Sequence, residues 1–165
     1  MIKQKVQEEI NEQIQAEFQS AYAYLALSGW FESQNLSGFA HWMKKQWNEE
    51  IEHGMKFYEH LIKRDGEVVL KNIEAPSLTI DTPEDAFEQA LEQERNITKR
   101  IHKLYDLAQK EGDYPLESLL LWFIDEQVEE EDMVRKILDD LKLIKNDASG
   151  MLLMDKELAK RESNK

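Results

Sequence analysis

Four long segments of the chain repeat apolar residues at alternating spacings of three and four, the pattern of a helix that buries one face. Each apolar stripe is interrupted near its middle by side chains that can bind a metal ion. The interrupting residues are Glu17 in the first segment, Glu50 and His53 in the second, Glu94 in the third, and Gln127 and Glu130 in the fourth. A carboxylate on a buried face is costly unless a cation balances its charge. The pattern therefore predicts four packed helices with a metal cluster between them.

Composition supports an all-α chain and limits its partners. At 165 residues the chain has the length of one domain, so we expect a single domain across 1–165, and 6 Gly and 3 Pro favour long helices over a many-turned β fold. The net charge of −13 disfavours nucleic acid and anionic membranes, which are polyanions, and favours cations. The absence of cysteine excludes disulfides, thiolate metal sites and iron–sulfur clusters. No apolar run approaches the ~20 residues of a membrane span and no apolar signal region begins the chain, so we expect a cytoplasmic protein.

The linkers predict the topology of a helical bundle over about 3–145. Residues 34–36 and 112–115 are short connections, which require antiparallel hairpins, with Ser37 as the expected N-cap of the second helix. That helix should end near residues 64–66, with Gly66 as a left-handed cap, and Thr82-Pro83 should begin the third. The roughly 16 residues between them span ~50 Å when extended, whereas a 27-residue helix is ~40 Å long. We therefore expect one long crossover between parallel second and third helices, and a short fifth helix at about 148–160.

The interrupting residues have the composition of a dinuclear metal site. Glu50-x-x-His53 places both side chains on one helix face, and Gln127-x-x-Glu130 repeats the spacing. The four glutamates carry four negative charges, which two divalent ions would neutralise. Single glutamates from two helices combined with Glu-x-x-His motifs are typical of di-iron and di-manganese carboxylate proteins. Oxygen-rich ligation with one imidazole suits iron or manganese better than copper or zinc.

Further candidate residues flank this site. Glu49, Glu126 and Glu129 each precede a site residue by one position, which turns them together toward one side of the centre, where they could hold a third ion. A run of carboxylates is also the ordinary composition of a solvated helix face. Tyr24 follows Glu17 by seven residues on the same face and is either a core tyrosine or an electron donor near the metals.

At these residues the chain resembles the non-haem bacterial ferritins over nearly its full length. Glu17, Glu50, His53, Glu94, Gln127 and Glu130 match the family's ferroxidase pattern, Tyr24 its nearby tyrosine, and Glu49, Glu126 and Glu129 its third iron site. The resemblance implies a four-helix bundle whose fifth helix lines a fourfold channel. It also implies a cage of twenty-four identical subunits that oxidises Fe(II) with dioxygen or hydrogen peroxide and stores Fe(III) mineral. Ile51 stands where bacterioferritins bind haem through a methionine, so no haem is expected.

Two other functions are compatible with the residue pattern. One is a di-iron or di-manganese peroxidase or oxygenase of the same fold that works as a small oligomer. The other is a non-enzymatic helical scaffold whose mid-helix acids line a wet channel. Particle size, iron content and oxygen consumption on addition of Fe(II) distinguish these alternatives from an iron-storing cage.

Overall fold

The chain is a helical bundle in a computed structural model that describes residues 2–162. Five helices make up its architecture and no strand occurs in this part of the chain: α1 (Gln4–Ser33), α2 (Ser37–Lys63), α3 (Pro83–Glu111), α4 (Tyr114–Ile144) and α5 (Ala148–Leu158). The predicted all-α fold, with four long helices and a short fifth one, is confirmed. Within residues 2–162, no helix has the length and apolarity that a membrane span requires.

The start of α3 and the turn before α4 follow from local sequence. Thr82 accepts a hydrogen bond from the Asp85 amide while the Asp85 side chain accepts from the Thr82 amide, a complete capping box, and Pro83 is the first helical residue. Gly112 ends α3 in the left-handed conformation, with φ 65°. One residue later, the Asp113 side chain accepts from the Leu116 amide and begins α4.

Helix α2 has the predicted extent, but the residues expected to cap its two ends were wrong. Ser37 is the first helical residue rather than the N-cap, and its hydroxyl donates to Glu32 Oε2 at 3.2 Å instead of capping a backbone amide. At the other end, Asp65 takes the left-handed conformation, with φ 56°, and Gly66 does not. Aspartate tolerates this conformation better than most residues. The Gly66 amide then donates to the Leu61 carbonyl at 2.9 Å, which satisfies one of the last carbonyls of the helix.

Aromatic contacts establish the direction of each helix. The ring of Phe87, near the start of α3, lies 6.1 Å from Phe39, near the start of α2, and 6.1 Å from Phe31, near the end of α1. Helices α2 and α3 therefore begin at the same end of the bundle and run parallel, antiparallel to α1. The crossover between them follows α1, where Gln15 and Gln19 donate to the carbonyls of Asn72 and Glu74. The single long crossover is confirmed.

Two apolar clusters fill the ends of the bundle. One contains the stacked rings of Phe31 and Phe39, 5.0 Å apart, and the other contains those of Phe57 and Phe123, 4.3 Å apart. Burial of such side chains stabilises the fold by roughly 1.5–3 kcal/mol each. Between the clusters lies a layer of buried polar side chains, which helix packing alone does not require. This layer holds the candidate site.

Candidate metal centre

The polar layer consists of ligand-type side chains from all four long helices. The carboxylates are completely buried and the imidazole is 3% exposed: Glu17 on α1, Glu50 and His53 on α2, Glu94 on α3 and Glu130 on α4. Among the described residues, potential ligand atoms within 4.8 Å of one another form three groups, and two of these share Glu50: one of Glu17, Glu50 and His53, the other of Glu50, Glu94 and Glu130. Glu50 belongs to both groups. The geometry is therefore that of two adjacent cation sites that share one carboxylate.

These side chains leave buried polar atoms without protein partners. Among the described residues, seven buried side-chain atoms make no hydrogen bond, and all belong to residues that the sequence assigned to metal binding: Glu17, Glu49, Glu50, His53, Gln127 and Glu130. Both oxygens of Glu50, the shared carboxylate, are among them. A buried polar atom without a partner costs roughly 1–3 kcal/mol, and more when it is charged. Seven such atoms that converge on one layer fit bound cations.

Tyr24 and Gln127 hold the carboxylate of Glu94. The Tyr24 hydroxyl donates to Glu94 Oε1 at 2.5 Å, and Gln127 Nε2 donates to Glu94 Oε2 at 3.2 Å. The same amide nitrogen lies 3.2 Å from Thr98 Oγ1. Gln127 therefore uses its NH₂ group within the protein, and its buried Oε1 has no partner. Tyr24 is completely buried, in contact with the acids at one end and with the apolar cluster along its ring.

Burial and mutual repulsion raise the pKa values of the carboxyl groups. Burial raises the pKa of Glu50 well above its usual range, and the charge of Glu94 adds to this effect. Burial and Glu94 likewise raise the pKa of Glu130 to about 8. For Glu94 burial outweighs the hydrogen bonds from Tyr24 and Gln127, which act in the opposite direction. Without cations, the acid layer therefore retains protons at neutral pH.

The acids around His53 raise its pKa, which favours the charged form of the imidazole. Burial alone would lower its pKa, but the nearby carboxylates of Glu126 and Glu50 outweigh burial and raise the pKa to about 12. Its Nδ1 lies 3.7 Å from Glu50 Oε2, and its Nε2 lies 3.7 Å from Glu126 Oε1. The metal-free site therefore holds an imidazolium. A metal ion on this side chain must displace a proton.

Comparisons with known proteins identify the family of the chain. The model of the Ferritin-like domain family matches residues 7–144. A bacterial non-heme ferritin from Bacteroides fragilis is 39% identical over 161 residues, which cover 98% of this chain and 100% of the relative. One from Staphylococcus epidermidis is 35% identical and covers 99% of each chain. The chain belongs to the bacterial non-haem ferritins.

Solved ferritin structures have the same fold. An open-pore ferritin from the archaeon Archaeoglobus fulgidus superimposes with a TM-score of 0.96 at 43% identity, covering 98% of each chain. A humanized archaeal ferritin gives a TM-score of 0.98 at 41% identity and covers 100% of both chains. The resemblance seen in the sequence is therefore confirmed for the family and for the fold.

The three carboxylates predicted to hold a third ion line one pocket of this ferritin. Glu49, Glu126 and Glu129 surround a surface pocket of about 480 Å³ beside His53. Glu49 is 7% exposed, whereas Glu129 is exposed. Glu126 also belongs to a group of potential ligand atoms within 4.8 Å of one another, which it forms with His53 and Glu130.

Two polar side chains that contact the ligands from outside the site were not predicted from the sequence. Gln13 Nε2 donates to Glu17 Oε1 at 2.7 Å, and Gln46 Nε2 donates to Glu130 Oε2 at 2.8 Å. Both glutamines are buried. Gln13 precedes Glu17 by one helical turn, so its spacing could have identified it. No spacing connects Gln46 with α4, because their contact depends on the packing of two helices.

Proposed function

We propose that this ferritin oxidises Fe(II) at the dinuclear site and stores the Fe(III) product as mineral inside a cage of twenty-four identical subunits. The observation that carries the proposal is the set of seven unpartnered buried atoms on six ligand-type residues. The first ion would bind Glu17, Glu50 and His53. Glu50 would bridge to the second ion, which Glu94 and Glu130 complete.

The surrounding residues support redox chemistry on two ions that bind as substrates. Two metal ions ~3.5–4 Å apart can act jointly on one bound molecule. Each Fe(II) gives up one electron, so two together reduce dioxygen with two protons to hydrogen peroxide, or hydrogen peroxide with two protons to water. Gln127 would hydrogen-bond a ligand or bound oxygen species through its free Oε1. One further electron from Tyr24, which contacts Glu94, and one from a third Fe(II) would, with two more protons, carry the reduction of dioxygen through to water.

The pocket beside the dinuclear site fits a transit route for iron. Glu49, Glu126 and Glu129 would hold a third ion that passes to the cavity or contributes an electron. Carboxylates bind Fe(III) without the closed geometry of a structural site, so the oxidised product can leave. The net charge of −13 attracts Fe(II) toward acidic entry pores. We propose the cytoplasm as the location of this storage.

Oxygen consumption after addition of Fe(II) to the metal-free protein tests the proposal. We expect rapid uptake in the wild type and its loss in Glu50→Ala and His53→Ala. Glu59→Ala, which removes an exposed carboxylate from the same helix outside the acidic pocket, is the matched control and should keep the wild-type rate. Wild-type rates in Glu50→Ala and His53→Ala would exclude the dinuclear site as the place of oxidation.

Particle size and iron content separate storage from other di-iron chemistry. Size-exclusion chromatography with light scattering should give a particle of twenty-four subunits, which retains far more iron than its ligands can bind. A small oligomer that consumes oxygen but keeps only two or three ions per chain would instead be a di-iron peroxidase or oxygenase. A protein that neither consumes oxygen nor retains iron would be a scaffold.

A further inference from the structure

An arginine and a glutamine form a chain of hydrogen bonds that ends on the carboxylate of Glu17. Arg100 Nε donates to Gln13 Oε1 at 3.2 Å, and Gln13 Nε2 donates to Glu17 Oε1 at 2.7 Å. A guanidinium can only donate hydrogen bonds. The contact with Arg100 therefore fixes the orientation of the Gln13 amide, with its carbonyl outward and its NH₂ group toward Glu17.

A second chain of the same composition ends on Glu130. Arg161, which follows α5, donates from Nη2 to Gln46 Oε1, and Gln46 Nε2 donates to Glu130 Oε2 at 2.8 Å. The guanidinium is held in place by Glu49, whose Oε2 accepts from Nη2 at 2.9 Å, and by the Trp42 ring, whose centre is 4.4 Å away. Arg161 again orients the amide so that its NH₂ group points at the buried carboxylate.

Each chain engages one oxygen of its glutamate and leaves the other without a partner. Glu17 Oε2 and Glu130 Oε1, the two remaining oxygens, are buried and make no hydrogen bond. Glu17 belongs to the ligand group with Glu50 and His53, and Glu130 belongs to the ligand group with Glu50 and Glu94. Glu50, the shared ligand, has no such support, and both of its oxygens lack a partner. Each arginine–glutamine chain thus ends on a glutamate that would bind only one of the two ions.

We propose that the two arginine–glutamine chains are positioning elements, one for each iron ion, and that each chain fixes which carboxylate oxygen its terminal glutamate presents. The inference rests on the proposed dinuclear site. The glutamines act through Glu17 and Glu130 and do not touch iron themselves. Because Arg161 lies beyond α5, the second chain also makes one ion sensitive to the docking of the C-terminal segment.

Anaerobic titration of the metal-free protein with Co²⁺ tests this proposal. The binding of Co²⁺ can be followed directly, without dioxygen and without iron oxidation. Calorimetry gives the affinity for each ion, and the visible absorption of Co²⁺ reports its ligand geometry. Loss of an outer hydrogen-bonding partner typically lowers metal affinity 10–100-fold. We expect Gln13→Met to weaken one of two tight sites by this factor and Gln46→Met to weaken the other, each with a changed spectrum for the weakened ion only.

Further variants separate positioning from general damage to the fold. Gln19→Met removes an amide that donates to the Glu74 carbonyl on the crossover, so it should leave both affinities and both spectra unchanged. Arg100→Met and Arg161→Met keep the glutamine and release only its orientation, so each should weaken the same ion as its glutamine partner by a smaller factor. These arginine variants replace the glutamine variants if the latter do not fold.

The outcomes distinguish a failure of this inference from a failure of the proposed function. If the wild type binds two Co²⁺ ions per chain and all four variants bind them with unchanged affinity and spectrum, the chains have no positioning role. Equal weakening of both ions by every variant would also overturn the proposal, because it would indicate a loss of structure. A wild type that binds no pair of ions would instead refute the dinuclear site.

Discussion

Replacement of Glu130 by glutamine should stabilise the metal-free protein, although it removes a ligand. Burial and Glu94 raise the pKa of Glu130 to about 8 from an ordinary value of 4.5. At pH 7 folding therefore forces this carboxyl to take up a proton that the unfolded chain does not bind. At about 1.4 kcal/mol per pH unit above the ordinary pKa, that uptake costs about 3 kcal/mol. An amide at this position carries no charge, so Glu130→Gln is free of the cost.

The pH dependence of this effect follows from the direction of the shift. A carboxyl whose pKa is higher in the folded state stabilises the protein fully below its unfolded pKa, and this contribution is lost as the pH rises toward about 8. The advantage of Glu130→Gln should therefore fall below about 1 kcal/mol at pH 5. At pH 7, a gain of about 3 kcal/mol raises the thermal midpoint by roughly 6–12 °C for a chain of this size.

Thermal unfolding of chelator-treated protein, followed by circular dichroism at pH 5 and pH 7, measures the effect. Glu129→Gln, an exposed carboxylate on the adjacent position, is the control and should unfold with the wild type at both values. Saturating divalent metal should reverse the order of Glu130→Gln and wild type, because only the wild type retains the full ligand set. A metal-free variant that is less stable than wild type at pH 7, or equally stabilised at pH 5, would refute the reasoning.

Three further predictions concern hydrogen bonds, packing and protons. Tyr24→Phe removes a buried hydrogen bond to the Glu94 carboxylate and should lower the free energy of unfolding by about 1.5–3 kcal/mol in denaturant titrations. Tyr22→Phe, at an exposed tyrosine, is the control and should leave this free energy unchanged. Equal losses in the two variants would contradict the role of the Tyr24–Glu94 contact. Gly38→Ala places a methyl group 1.7 Å from the carbonyl oxygen of Asp155 in α5, so α5 must move away from α2. Amide hydrogen exchange in α5 should therefore become much faster than in the bundle. Unchanged protection of the α5 amides would disprove the close packing. Burial keeps carboxyl groups of the site protonated near neutral pH, so metal binding should release protons. Calorimetry of metal binding in buffers of different ionisation enthalpy measures this release. Binding heats that do not depend on the buffer would contradict the raised pKa values.

The long helices and the ligand layer could be predicted from the sequence because both follow from helical periodicity. Glu50 and His53, three residues apart, must share a face, and the apolar residues on either side of them place that face inside the bundle. The long crossover follows equally from the number of residues available to span the bundle. These inferences need only local geometry.

Contacts between distant elements could not be predicted in this way. Arg161 reaches Glu49 across 112 residues, and only the packing of the segment after α5 against α2 brings them together. The ion pair gives Glu49 a protein partner that a run of carboxylates in the sequence does not suggest. The left-handed residue after α2 was mispredicted for a smaller reason, because Asp65 adopts this conformation one residue before Gly66.

Diffraction at the iron absorption edge, from crystals loaded anaerobically with Fe(II), tests the central claim most directly. We expect two anomalous peaks per chain, ~3.5–4 Å apart. One should lie among Glu17, Glu50 and His53, and the other among Glu50, Glu94 and Glu130, with a weaker third peak in the adjacent acidic pocket. Iron found only on the surface, with the buried carboxylates unchanged and without metal, would contradict the account.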